Sequence, residues 1–372
     1  MDAAGFDALV VFYPARIAYL TGFHHVPTER PIALVLGDGY SALVVPAVEK
    51  EHAESLAGID RVSVYFDYPG DRHPLVRVQE ALLEINAAPT RIAADSDGQV
   101  PYWGYRGPRL SDLTGHSVAD GEMLVEELRR VKSPAELRCL QLACDWAVRG
   151  HRRMQGAIRS GQTEMESYAP AELETLREMI AEMPGWRPKG FGGSGLTAMF
   201  VAGKGTAMPH GFVLGHGVQP GDVLVSGAAA DIDGYRSELE RTMLVGEPNV
   251  AQRAAFEAMV ALQSRAVEVL RPGLPVAEVE LAVLKLAVEL GHEAHLRHHV
   301  GHSIGLEGHE APFLDRGDPA ILEPGMVFTI EPGIYLPALG GFRHSDTVVI
   351  TAAGSRVMTE YPRDLEGLVI PV

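Results

Sequence analysis

Three short stretches hold side chains whose types and spacing could do chemistry. HHVGHSIGLEGHE, His298 to Glu310, sets His298, His302 and His309 among glycines and closes on an acid. On a helix, histidines four apart would face one metal ion. Gly301 and Gly305 disfavour a helix here and instead permit close backbone approach around His302. GYRSELERT, Gly234 to Thr242, follows the hairpin signal Asp233-Gly234, so Tyr235 to Val245 is expected to be a strand. Residues two apart share a strand face. Glu238 and Glu240 therefore point the same way, and Arg236 can join them. Carboxylates that close repel, and one keeps its proton near neutral pH unless a cation intervenes. In GMVFTIEPGIY, Gly325 to Tyr335, Glu331 interrupts an apolar run, where a buried acid needs a partner. His210, in the loop GTAMPHGFVLGHG, is a fourth candidate, with His216 close by. Each has a plainer reading: a solvated strand face for the glutamates and structural or surface histidines for the rest.

Elements must hold these groups in place, and the pattern of the chain indicates which. A length of 372 residues exceeds one ordinary core, so two domains are expected. DALVVF, IALVLGDGYSALVVP, RVSVYF and RIAAD read as strands alternating with helical stretches near 47–57 and 74–86, an α/β domain ending near residue 118. Residues 122–158 are helical with a break at Ser133-Pro134, where Ser133 and Glu136 spell a capping box. A helix near 163–183, strands at 196–201, 223–229 and 235–245, helices near 251–270 and 276–290, and a strand-rich final third make an α+β second domain.

Composition narrows the classes. Net charge is −17, which argues against nucleic acid and against anionic membrane surfaces. The longest apolar runs fall short of a membrane span, and no basic leader precedes an apolar run, so a cytoplasmic protein is expected. Cys139 and Cys144 lie five apart on a helical stretch, diverging by about 140°, so neither a disulfide nor a cysteine metal site is expected.

Several segments resemble the pita-bread hydrolases: Xaa-Pro dipeptidases, aminopeptidase P, methionine aminopeptidases and creatinase. The likeness rests on DALVVFYPARIAYLTGF, LRRVKSPAELRCLQLACDWAVRGHRRM, GQTEMES, RPGLPVAEVE, VGHSIGLEGHEAP and LEPGMVFTIEPGIY, in family order along nearly the whole chain. The resemblance implies a creatinase-type α/β N-terminal domain over 1–118. It implies an α+β pita-bread catalytic domain over 119–372, with linking helices at 119–158, and a homodimer. His24 to Arg30 is a loop that could complete a neighbouring subunit's site.

The family's peptidases hold two divalent ions on Asp, Asp, His, Glu and Glu. Carried over, the His falls on His302 and the first Glu on Glu331, and Glu238 replaces the second Asp. The first Asp falls on Gly227, beside Ser226, and the last Glu on Ser345, so neither is present. Two cations about 3.5–4 Å apart need anionic bridges. LERT, together with a histidine about thirty residues earlier, is similar to metal-free creatinase.

The expected function is therefore a metal-independent, creatinase-like C–N hydrolase with no cofactor. The resemblance assigns catalysis to His210, Glu240, His302 and Glu331. Arg236, Glu238, His298, His309, Arg343, Ser345 and Ser226 would surround a small-molecule or dipeptide substrate. The alternative is an Xaa-Pro dipeptidase or aminopeptidase with a reduced site, one weakly bound Mn or Zn on Glu238, His302 and Glu331. A non-catalytic peptide-binding module is a third reading.

Overall fold

The computed structural model describes residues 4–85, 89–100, 103–189 and 195–372; residues 190–194 of the glycine-rich stretch read from the sequence lie outside them. Contacts divide the chain into two units, Met1–Arg129 and Arg130–Val372.

The first unit is a six-stranded sheet with helices. Its elements are β1 Ala8–Val11, α1 Pro14–Thr21, β2 Ala33–Gly37, β3 Tyr40–Pro46, α2 Lys50–Glu54, β4 Arg61–Tyr65, α3 Leu75–Glu84, β5 Ile92–Ala94, α4 Leu110–Thr114, β6 Val118–Asp120 and α5 Glu122–Arg130. The order is β4-β3-β2-β1-β5-β6. The strands alternate with helices as expected, and α1 stops where Gly22 takes φ 76°. The division falls later than residue 118 because β6 completes this sheet and α5 packs Val125 against Leu9, Ile17 and Ala93. Arg16 on α1 also binds Glu122 and Glu126 of α5, with Nη2–Oε1 at 2.6 Å and Nε–Oε1 at 2.7 Å. In the loop after α1, His25 is buried and the Arg30 Nε donates to Asp67 Oδ1 at 2.8 Å.

The second unit is α+β. It comprises α6 Pro134–Ala157, α7 Glu164–Glu182, β7 Leu196–Ala202, β8 Val223–Ile232, β9 Tyr235–Arg236, β10 Leu239–Val245, α8 Val250–Val269 and α9 Val276–Glu289. There follow β11 His302–Ser303, β12 Glu310–Phe313, β13 Val327–Ile330, β14 Gly333–Leu336, β15 Gly340–Arg343, β16 Ser345–Thr351, β17 Gly354–Val357 and β18 Val369–Ile370. Local signals start the helices: Ser133 with Glu136, Thr163 with Glu166 and Asn249 with Gln252 form capping boxes. The main sheet runs β12-β11-β13-β16-β10-β8-β7. The helices bury Trp146, Met154, Phe256, Met259 and Leu262 in one core with Phe200, Leu224, Met243, Phe328 and Val348 of the sheet.

Asp233 and Gly234 both take positive φ, 53° and 91°, the pair a two-residue hairpin of matching twist requires. The single strand expected over 235–245 is two segments, because pairing lapses at Ser237 and Glu238 between β9 and β10. The register nevertheless continues and decides the site. Met199, Gly227, Glu240 and Ser345 stand side by side on β7, β8, β10 and β16. Among the described residues no helix is long and apolar enough to cross a membrane.

Candidate metal centre

The sheet brings together three residues that are distant in the chain. Donor atoms of Glu238, His302 and Glu331 all lie within 4.8 Å of one another. Glu238 comes from the gap before β10, His302 from β11, and Glu331 from the end of β13, where its N–H is fixed to the Val300 carbonyl at 2.7 Å. Gly301 is obligatory beside them, since an added Cβ would stand 1.9 Å from the Thr329 carbonyl oxygen. Gly301→Ala is accordingly expected to cost about 1–3 kcal/mol, as overpacking does, seen as a lower denaturant midpoint at unchanged slope.

His302 is fully buried. Its Nδ1 faces the Ser303 carbonyl at 3.1 Å. A carbonyl can only accept, so Nδ1 carries a proton and Nε2 is the ring nitrogen left to face the carboxylates. That Nε2 lies 3.1 Å from Glu331 Oε1. The contact has the distance of an ion pair but lacks hydrogen-bond alignment, and Nε2 has no hydrogen-bond partner among the described residues. His309, on the exposed rim, stacks on His302 with ring centroids 3.7 Å apart.

The electrostatics are those of anions short of a cation. Burial, then the neighbouring Glu331 and Glu240, pushes the Glu238 carboxyl up to about 8. Burial opposes charge on His302, yet Glu331 and Glu238 raise it, and the same contact lowers Glu331 against its own burial. Ser345 Oγ donates to Glu238 Oε1 at 2.7 Å and so orients that carboxyl.

Glu240 has a different partner. Its two oxygens accept from Arg343, Oε2 from Nε at 2.5 Å and Oε1 from Nη2 at 2.6 Å, the geometry of a bidentate ion pair. Arg343 Nη1 reaches the Pro209 carbonyl at 3.1 Å and the Tyr335 hydroxyl at 3.2 Å. Tyr335 in turn sits 2.8 Å from His298 Nε2, whose Nδ1 faces the His299 carbonyl at 2.8 Å. Tyr335 was not singled out in the sequence; its signal was its place four residues after Glu331.

Other expected site residues fall elsewhere. Ser226 borders the space beside Glu240 but turns its Oγ away from the carboxylates, donating to the Arg241 carbonyl at 2.9 Å and meeting His151 Nε2 of α6 at 2.6 Å. It adjoins Gly227, and adjacent strand residues point oppositely. The same alternation sends His344 and Asp346 away from the cluster: Asp346 pairs with the buried Arg241 at 2.7 Å, and the His344 ring packs on Phe256. Arg236 is held by its N–H on the Gly305 carbonyl at 2.8 Å. His210 lies on an exposed loop near enough for its charge to bear on His309. His216 pairs with Asp222 at 2.9 Å and has a structural role.

A family model, metallopeptidase family M24, matches residues 138–352, more than half of the chain. The chain belongs to metallopeptidase family M24. A second model, the creatinase/prolidase N-terminal domain, matches residues 1–131 of this M24 protein. It is 33% identical over 366 residues to an Xaa-Pro dipeptidase of Pyrococcus horikoshii, covering 98% of this chain and 96% of the relative. An Xaa-Pro dipeptidase of Lactobacillus delbrueckii subsp. lactis is 28% identical, with 99% and 96% covered. The crystal structure of the prolidase from Pyrococcus horikoshii superposes with a TM-score of 0.81 at 26% identity, covering 98% of this chain and 97% of that one. The expected fold, a creatinase-type domain followed by a pita-bread catalytic domain, is thus the observed one, and the chain is a hydrolase of peptide C–N bonds by family.

An M24 enzyme is expected to hold divalent metal, and the residues fit one ion. A buried imidazole nitrogen with no hydrogen-bond partner among the described residues faces two carboxylates, one of them held protonated by burial and by its neighbours. They do not fit the five-ligand pair of ions, because Gly227 and Ser345 supply no carboxylate and Arg343 occupies Glu240.

Proposed function

We propose that this protein is a single-metal-ion M24 hydrolase that cleaves the C–N bond of a small peptide-like substrate of the Xaa-Pro dipeptide class. The buried Nε2 of His302, without a hydrogen-bond partner among the described residues and facing Glu238 and Glu331, carries this reading. The peptidase relatives support it. The metal-independent, creatinase-like route expected from the sequence fares worse, because it needs Glu240 free for substrate, and Arg343 takes both of its oxygens.

Glu238, His302 and Glu331 would hold a divalent ion such as Mn²⁺ or Zn²⁺. When bound, such an ion polarises the scissile carbonyl and acidifies water. Ser345 orients Glu238 through its hydroxyl, and the Ser303 carbonyl fixes the His302 tautomer. His309 forms the outer wall on His302. His210 is exposed on its loop, and its imidazole could pass a proton to the departing nitrogen of a substrate.

The test is metal content and turnover together. Protein stripped with chelator and reloaded is expected to take up one Mn²⁺ or Zn²⁺ per chain and to hydrolyse Xaa-Pro dipeptides only when loaded. Undiminished hydrolysis by the stripped protein would overturn the reading in favour of the metal-independent route. His210→Ala is expected to lower kcat by about 10²-fold, the lower end for proton-transfer catalysis. Metal affinity by calorimetry should stay unchanged.

A further inference from the structure

Beside the carboxylate cluster lies a cavity of about 140 Å³, lined by Gly227 and bounded by the Glu240–Arg343 pair and Tyr335. Its walls are Met199, Val201, Met208, Pro209 and Val225. The row Met199, Gly227, Glu240, Ser345 explains why it is open. A Cβ added at Gly227 would project onto Glu240, 3.7 Å from Oε1 with no closer atom, so the missing side chain is itself part of the space.

Every polar side chain on this wall is already engaged. Arg343 uses Nε and Nη2 on Glu240 and Nη1 on Pro209 and Tyr335. Tyr335 is shared with His298. Thr206 Oγ1 donates to the Gly203 carbonyl at 2.7 Å and accepts from the Gly341 N–H at 2.9 Å. The guanidinium and carboxylate offset each other, and their side chains are 12% and 15% exposed, so the pair gives the cavity wall no net charge. A charged group placed there would surrender its hydration without gaining a free partner. A cavity of this size in an apolar lining accepts a group about as large as benzene.

We infer that Glu240 and Gly227 are specificity-determining residues. Glu240 withdraws Arg343 from substrate recognition, Gly227 opens the floor, and the cavity admits an uncharged hydrocarbon group of the substrate in preference to an acidic or basic one. The inference rests on the hydrolase reading for the identity of the substrate, but the binding preference it predicts is read without turnover.

Three amides of equal chain length serve as probes: 4-methylpentanamide, 4-carboxybutanamide and 5-aminopentanamide. Their dissociation constants are measured on metal-loaded wild type by ligand-observed NMR. The neutral amide is expected to bind at least about tenfold more tightly than either charged one, the effect of one desolvated, unpaired charge. In Glu240→Gln the guanidinium loses its counter-charge. The carboxylate probe should then gain about tenfold or more while the ammonium probe does not. Gly227→Val should weaken the neutral probe about tenfold, and circular dichroism confirms folding of each variant. Tighter or equal binding of either charged probe to wild type overturns the inference, and this arm needs no variant. An unchanged ranking in Glu240→Gln removes Glu240, and unchanged neutral binding in Gly227→Val removes Gly227. Failure of the hydrolase reading shows separately, as absent metal uptake or absent Xaa-Pro turnover.

Discussion

His302→Ala protein is expected to fold, to bind no stoichiometric divalent metal and to lose hydrolytic activity by about 10³-fold or more. The size follows from the role. A bound cation contributes several kcal/mol of charge stabilisation in the transition state, and about 4 kcal/mol is three decades in rate. His302 contributes the nitrogen donor, while Glu238 and Glu331 without it are two carboxylates that repel. The ring is held by its Nδ1–carbonyl bond, by Glu331 and by the rings of His299 and His309, all side-chain contacts except the carbonyl, so its removal leaves the sheet's backbone pairing in place. Two measurements check the result. Mn²⁺ should raise the Tm of wild type, because ligand bound to the native state alone stabilises it, and should leave the Tm of His302→Ala unmoved. Activity of His302→Ala equal to wild type would remove this histidine from the site.

Lys132→Met is expected to destabilise the protein by about 3–5 kcal/mol, the usual consequence of stranding one member of a buried ion pair. Lys132 Nζ lies 3.0 Å from Glu310 Oε2 and 3.1 Å from Ser303 Oγ, and the two charged side chains are 1% and 2% exposed. Glu310 Oε1 also accepts from the Glu307 N–H, and its carboxylate presses within 2.7 Å of the position a Cβ at Gly305 would take. The pair thus pins the segment between His302 and His309 from beneath. Adding Glu310→Gln should recover most of the loss, because an amide keeps the hydrogen-bonded shape without a buried charge. Denaturant titration of the two singles and the double gives the coupling energy as a cycle. A loss below about 1 kcal/mol for Lys132→Met would mean the pair is solvated.

Much of the fold was legible because its signals are local. Ser133 with Glu136 set the start of α6, Asp233-Gly234 set a two-residue hairpin, and alternating strands and helices marked the first unit. The departures Gly227, Ser345 and Glu240 were legible for the same reason: each is one residue at a fixed place in a recognisable segment. Their consequences were not. The missing ligands pointed to an enzyme without metal, yet three surviving donors meet within bonding range of one ion.

By itself the sequence determined the family and the order of elements, and the resemblance marked Gly227 and Ser345 as places without an expected carboxylate. Tertiary structure alone decided what replaces them. The Arg343 guanidinium reaches Glu240 across 103 residues, Ser345 turns to Glu238 across 107, and Lys132 meets Glu310 across 178. Such pairings follow from sheet register and from the opposite facing of adjacent strand residues. Those are properties of neighbouring strands, and no single segment contains them. HHVGHSIGLEGHE therefore displays a histidine that could bind metal, while the nitrogen it would offer is set by a strand, a carbonyl and two distant acids.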